Sequence, residues 1–172
     1  PAAPARRRQG LALDHSTRSD HVWQLELRKD TGQVLATFRE VRLPRPITLD
    51  YPRDPFALAD EWKKMSMMYT AISGPDAVGY ILLHEQAPIS LVRVADLVVA
   101  PQARRQGLGS ALLAAAQEWA QGRGGRRILL EMQAKNLPAI RLAQKHGYEF
   151  CGYNDHYYLS QDVALFFARA LK

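Results

Sequence analysis

The chain has 172 residues, 47% of them hydrophobic and 23% charged, with a formal net charge of +6 and one cysteine. This length holds one domain with its own core. Cys151 alone excludes a disulfide scaffold or a cysteine-built zinc centre, and no apolar run approaches the ~18 residues of a membrane-spanning helix. The charge is uneven: residues 101–172 carry 10 Lys and Arg against 5 Asp and Glu. That surplus is either a solvated basic surface or the mark of a phosphate-bearing partner, nucleic acid or a phosphorylated cofactor.

Residues 1–10 (PAAPARRRQG) show no periodic apolar face, so a disordered segment is predicted over 1–19, ahead of one domain over 20–172. Arg6–Arg8 precede only Leu11-Ala12-Leu13, short of the ~7–15 apolar residues of a secretion signal, and a cytoplasmic protein is expected. Residues 22–27 (VWQLEL) alternate and predict a strand; the turn Asp30-Thr31-Gly32 leads to a second at 33–41. A proline-punctuated stretch follows at 43–55. Asp54 and Pro55 then open a helix with Leu58, Trp62 and Met65 on one face. Strands are predicted at 67–72 and 78–85, joined by Ser73-Gly74-Pro75-Asp76, and at 91–99.

Beyond 100 the pattern becomes helix–strand–helix–strand. Leu108, Leu112, Ala115 and Trp119 share one helical face over 108–121, which Gly122 to Gly125 close. Residues 128–132 read as a buried strand, Asn136 and Pro138 open a helix that Gly147 closes, and a strand follows at 148–153. The closing segment VALFFARAL reads as helical. Strands first and a β-α-β-α-β run second give an α+β fold class.

The most informative stretch is 96–110 (DLVVAPQARRQGLGS), where a strand runs through a short basic loop into a helix start. Free N–H groups and partial positive charge at a helix N-terminus bind phosphate, and Gly107 and Gly109 open the approach. A dinucleotide fingerprint would need glycine at Leu112, and a P-loop would need Gly-Lys-Ser/Thr; neither is present.

Arg104-Arg105-Gln106-Gly107-Leu108-Gly109 resembles the Q/R-x-x-G-x-G/A motif of the GNAT superfamily of acetyl-CoA-dependent N-acetyltransferases, in the same setting after a D-L-x-V strand. Leu130-Glu131-Met132-Gln133, Asn136-Leu137-Pro138-Ala139 and Lys145-His146-Gly147-Tyr148 resemble that family's strand–Asn–helix–Gly–aromatic ending. The resemblance spans residues 65–160. Within the superfamily, Leu130–Ala139 and the tail through Asp155 are most similar to streptothricin acetyltransferases.

The resemblance implies a GNAT fold, a mixed and mostly antiparallel central sheet flanked by helices. It implies direct acetyl transfer from acetyl-CoA to a primary amine, with no metal and no covalent enzyme intermediate. The acceptor is expected to be a small aminated antibiotic or metabolite. Alternatives are a protein N-terminus or lysine, or a catalytically weak coenzyme A-binding module. Backbone groups of Leu97, Val98 and Val99 are then expected to bind the pantetheine arm, and Arg104, Arg105, Gln106, Gly107, Leu108, Gly109 and Ser110 the diphosphate. Asn136 would hydrogen-bond the pantetheine, with Lys145 or Arg141 near the phosphorylated ribose. The basic last third no longer needs nucleic acid to explain it; no membrane partner is expected, and a homodimer stays open.

A lysine-like amine has a pKa of about 10.4, so freeing its lone pair at pH 7 costs roughly 4.6 kcal/mol and calls for a base. The thiol leaving group, with pKa near 8.5, needs little help from an acid. The family's acid tyrosine falls here on Ala143, and its strand glutamate on Ala95. Asp96 and Glu131 are the nearest carboxylates by sequence, each with a structural role as its alternative, and Tyr153, Tyr157 or Tyr158 could supply the phenol. Asp155 and His156 are expected to face the acceptor. His84-Glu85 lacks an HExxH continuation, Cys151 reads as a buried small hydrophobe, and Trp62, Met65, Met67 and Met68 read as core or groove wall.

Overall fold

The computed structural model describes residues 4–172. The chain opens with a helix, α1 (Pro4–Leu11), where composition predicts disorder; residues 1–3 of that expectation lie outside the described residues. Tertiary burial accounts for the difference. A Cβ built on Gly10 would stand 3.2 Å from Trp62 and 3.3 Å from Tyr80, so this helix seats its glycine directly on two core rings. Leu11 and Leu13 pack on the same cluster.

β1 (Thr17–Asp30) and β2 (Gln33–Leu49) form a separate antiparallel pair, turning at Gly32 with φ +75°. Both run past the predicted ends. Pro44 and Pro46 are tolerated because the register jumps there: Ser19 faces Ile47 and His21 faces Arg42, so the prolines fall where the ladder is broken.

The main sheet holds β3 (Met67–Ser73), β4 (Asp76–Gln86), β5 (Leu91–Val99), β6 (Arg127–Gln133), β7 (Glu149–Asn154) and β8 (Ala164–Ala170), in the order β3-β4-β5-β6-β8-β7. Only β5 and β6 are parallel among these pairs. α2 (Pro55–Trp62) precedes β3, α3 (Leu108–Gly122) joins β5 to β6, and α4 (Leu137–Lys145) joins β6 to β7. The α+β mixed sheet expected from the sequence is therefore present.

The closing segment is a strand, not a helix. β8 lies between β6 and β7 with Ala164, Leu165, Phe167 and Ala168 all buried. Burial on both faces erases the alternation that marks a strand in sequence.

The sheet packs on both sides. Ile81, Leu83, Val92 and Val94 meet Leu112, Leu113 and Ala116 of α3, while Tyr80, Leu82 and Val98 meet Leu58 and Trp62 of α2. A bulge at Ala95, between the pairs Leu83↔Val94 and Leu82↔Asp96, swaps the faces of β5 midway. Val92, Val94, Leu97 and Val99 consequently face the first cluster, and Ala95 and Val98 the second.

Candidate active site

β5 and β6 pair only from Leu91↔Arg127 to Val94↔Leu130. Beyond that point residues 95–99 and 131–133 part, and a cleft of about 830 Å³ opens between them. Leu97, Val98 and Val99 line it, so their sheet edge on this side has no β6 partner.

One end of the cleft suits an anion. Arg105 has φ +64° and Gly107, at the N-cap of α3, has φ +86°. No side chain caps α3 and no acidic residue sits in its first turn, which leaves the first N–H groups free and the end electropositive. Arg105, Gly107, Leu108, Gly109 and Ser110 line this end. The two glycines have different reasons. Gly107 is required by its left-handed backbone, since a Cβ there would meet nothing within 4 Å, whereas a Cβ on Gly109 would meet Leu142 at 3.3 Å. Gly109 thus lets α3 and α4 approach.

Arg104 lines the cleft but spends its guanidinium on structure: Nε donates to Val99 O at 2.8 Å and Nη2 to Ser16 O at 2.7 Å. Gln106 donates to Gln102 O at 3.1 Å and is not part of the lining. Asn136 caps α4, its Oδ1 accepting from Ala139 N at 3.2 Å, which fixes the side chain at the cleft wall with its N–H2 group uncommitted to that cap. Lys145 and Arg141 also line the wall, Arg141 being paired with Glu40 at 2.7 Å. His146 Nε2 lies 2.8 Å from Ser110 Oγ. Burial and the charges of Lys145 and Arg169 hold this imidazole below its ordinary pKa. Free N–H groups, two unpaired strand edges and cationic side chains fit the diphosphate and amide-rich arm of acetyl-CoA.

The other end is built on carboxylates. Asp96 and Glu131 both line the cleft, each with its side chain only 3% exposed. Glu131 is held by an ion pair with Arg93 and accepts from the hydroxyls of Tyr158 at 3.2 Å and Tyr157 at 3.3 Å. Arg53 Nε lies 3.2 Å from Asp96 Oδ1, but the N–H is not aimed at that oxygen, which accepts no hydrogen bond. Burial, and secondarily the charge of Glu131, push the Asp96 carboxyl up from 3.8 to about 7. The Tyr158 hydroxyl is pushed up by burial and by Glu131, so it keeps its proton.

Besides Gln106, three of the expected site residues lie elsewhere. Tyr153 packs its ring against Phe38, with centroids 5.3 Å apart, and does not line the cleft; Tyr158 does. Asp155 and His156 pair with each other at 3.2 Å in the turn after β7, outside the lining. Cys151, expected to be buried, is exposed on β7, the edge strand of the main sheet. Ala143 is fully buried in the core, so the helix that would carry the family's tyrosine offers no phenol. Arg53 and Arg93 carry no signal in the sequence. Arg53 stands in a proline-rich stretch with no motif, and Arg93 reads there as the polar face of a strand.

Among the described residues no cluster of His, Cys, Asp or Glu could hold a metal ion, and no helix is long and apolar enough to cross a membrane.

Residues 35–148 match the family model for the acetyltransferase (GNAT) family. A streptothricin acetyltransferase of Streptomyces lavendulae is 27% identical over 151 residues, covering 85% of this chain and 78% of that protein. The crystal structure of nourseothricin acetyltransferase superposes with a TM-score of 0.83 at 27% identity, covering 99% of this chain and 96% of the other. A Bacillus anthracis strain Ames protein, described as a streptothricin acetyltransferase and crystallised with acetyl coenzyme A, gives 0.74 at 22% identity, with 93% and 90% covered. The last of these speaks for the fold alone. With most of its length inside the matched region, the chain belongs to the acetyltransferase (GNAT) family and is an acetyl-CoA-dependent N-acetyltransferase.

Proposed function

We propose that this protein acetylates a primary amine on a small, antibiotic-like molecule, with Asp96 as the general base. The observation that carries it is the placement of a buried carboxyl with a pKa of about 7 in the same cleft as the uncapped N-terminus of α3. The small-molecule acceptor draws support from the streptothricin and nourseothricin acetyltransferases, which resemble this chain over nearly its whole length.

Acetyl-CoA supplies the activated thioester. The first turn of α3 binds the diphosphate, with Arg105 and Lys145 adding charge, and the open edge of Leu97–Val99 holds the pantetheine as an added strand. A backbone N–H at or beside Val98 polarises the acetyl carbonyl. Asp96, ionised above neutral pH, takes one proton from the acceptor ammonium. The amine nitrogen then bonds to the acetyl carbon while the carbon–sulfur bond breaks, and its second proton passes to the departing thiolate. Tyr158, which lines the cleft and donates its hydroxyl proton to Glu131 at 3.2 Å, takes the place expected of Tyr153 as the phenol beside the carboxylates. We place the protein in the cytoplasm, where acetyl-CoA is available.

The test is an acceptor panel with acetyl-CoA, reading free thiol. Release is expected with small polyamines and aminated antibiotics and not with peptides bearing free N-termini. Release with peptides alone would move the acceptor to protein. Acetyl-CoA binding without release from any amine would leave a binding module.

A further inference from the structure

The cleft contains a cation that the transfer chemistry above does not use. Arg53 stands between β2 and α2, and its guanidinium reaches three other elements. Nε lies 3.2 Å from Asp96 Oδ1 on β5, Nη1 3.5 Å from Glu61 Oε2 on α2, and Nη2 3.8 Å from Glu131 Oε1 on β6. Nη2 also donates to Ala95 O at 3.0 Å, the carbonyl of the β5 bulge. The side chain is 23% exposed, so these contacts form at the edge of a desolvated pocket, where they outweigh a surface pair. Its own segment is tied down: the Tyr51 ring meets His15 with centroids 4.9 Å apart, and His15 Nε2 lies 2.9 Å from the Tyr80 hydroxyl.

We propose that Arg53 is a positioning residue for acetyl transfer, clamping Asp96 and Glu131 across the parted strands and favouring the ionised form of Asp96. The inference rests on Asp96 being the base. Two buried acids on facing walls of one cleft repel, and neither β5 nor β6 hydrogen-bonds to the other at this depth to hold the spacing. A guanidinium anchored on the bulge carbonyl, 3.2 Å from Asp96 and 3.8 Å from Glu131, sets positive charge between the two acids and offsets part of their repulsion. The other charged and titratable groups around Asp96 do not replace it. Glu131 opposes ionisation. Arg93, Tyr157 and Tyr158 are directed to Glu131, Glu61 reaches the pair only through Arg53, and Tyr80 is a neutral phenol raised by burial. His15 is turned to Tyr80 and the backbone of Leu13.

The experiment compares the pH profiles of kcat/KM for the wild type, Arg53→Met and Arg53→Lys with saturating acetyl-CoA. Losing an opposite charge at this distance raises a carboxyl by about one unit, so the acid limb of Arg53→Met is expected to move up by about one pH unit. Activity near pH 6 falls about tenfold and recovers at alkaline pH. Arg53→Lys returns the limb most of the way. A loss equal at every pH, with the limb unmoved, would overturn the proposal and leave Arg53 as a strap. Independently of turnover, the infrared band of the protonated carboxyl that disappears in Asp96→Asn should titrate at higher pH in Arg53→Met. An unchanged titration would overturn it even if the acceptor remained unknown. An active wild type whose Asp96→Asn variant turns over normally would instead sink the base assignment.

Discussion

Asp96 and Glu131 are both buried carboxylates in one cleft, and their surroundings separate their roles. Glu131 receives an arginine and two phenols, so its charge is balanced. Asp96 is desolvated and faces that charge, so it holds its proton to about pH 7. The linkage runs in one direction. Unfolded, Asp96 loses its proton near 3.8; folded, it does so near 7, so the native state binds more protons between these values and loses stability as pH rises through that window. Below 3.8 both states are protonated and nothing is lost; above 7 the full cost, a few kcal/mol, applies. Asp96→Asn is therefore expected to raise the melting temperature at pH 8 relative to the wild type, with no gain near pH 4. The same variant should lower kcat about 10²-fold or more while leaving acetyl-CoA affinity within about twofold. Calorimetric melting and thiol-release kinetics on one preparation test both; wild-type turnover would return the base role to Glu131 or water.

At the scale of elements, the electropositive end of the cleft depends on how α3 begins. Its first turn is free because Gly107 adopts a left-handed conformation and no side chain closes over it. Gly107→Val forces a branched residue into that region at about 1–3 kcal/mol, and acetyl-CoA affinity is expected to fall at least tenfold by titration calorimetry. Gly109→Val should act differently, by driving its methyls into Leu142, which sits 3.3 Å from the Cβ position. Its effect is expected on melting temperature as well as on binding, and Leu142→Ala in the same chain should restore part of the stability. If both glycine variants lost binding with unchanged melting and Leu142→Ala rescued nothing, the division of labour between them would be wrong. The motif was legible in sequence as a pair of glycines, but that only one of them serves the backbone turn was not, because Leu142 lies far along the chain.

At the scale of the molecule, the last strand completes the sheet from inside. β8 pairs with β6 on one side and β7 on the other, and Phe167, 1% exposed, joins the main core. A chain lacking residues 164–172 would leave β6 and β7 with no mutual partner and a bare core face. Such a truncation is expected to lose cooperative unfolding and near-ultraviolet circular dichroism. Phe167→Ala alone should cost about 3–5 kcal/mol in denaturant unfolding. A truncated chain that still melted cooperatively would contradict this role for β8.

The sequence by itself determined the α+β class, the helices α3 and α4, the strand ends around 91–99, and the glycine-opened start of α3, since each depends on local periodicity, turn residues or a short motif. It also named Asp96 and Glu131, because one strand carries each acid beside a recognisable motif. Only the tertiary structure decided that α1 forms, that VALFFARAL is a strand, and that Tyr158 rather than Tyr153 faces the cleft. It alone brought Arg53, Arg93 and two tyrosines onto the carboxylates. Those outcomes depend on burial and on pairings between distant residues, such as Gly10 against Trp62 and Arg53 against Asp96. Such long-range contacts leave no period in the chain.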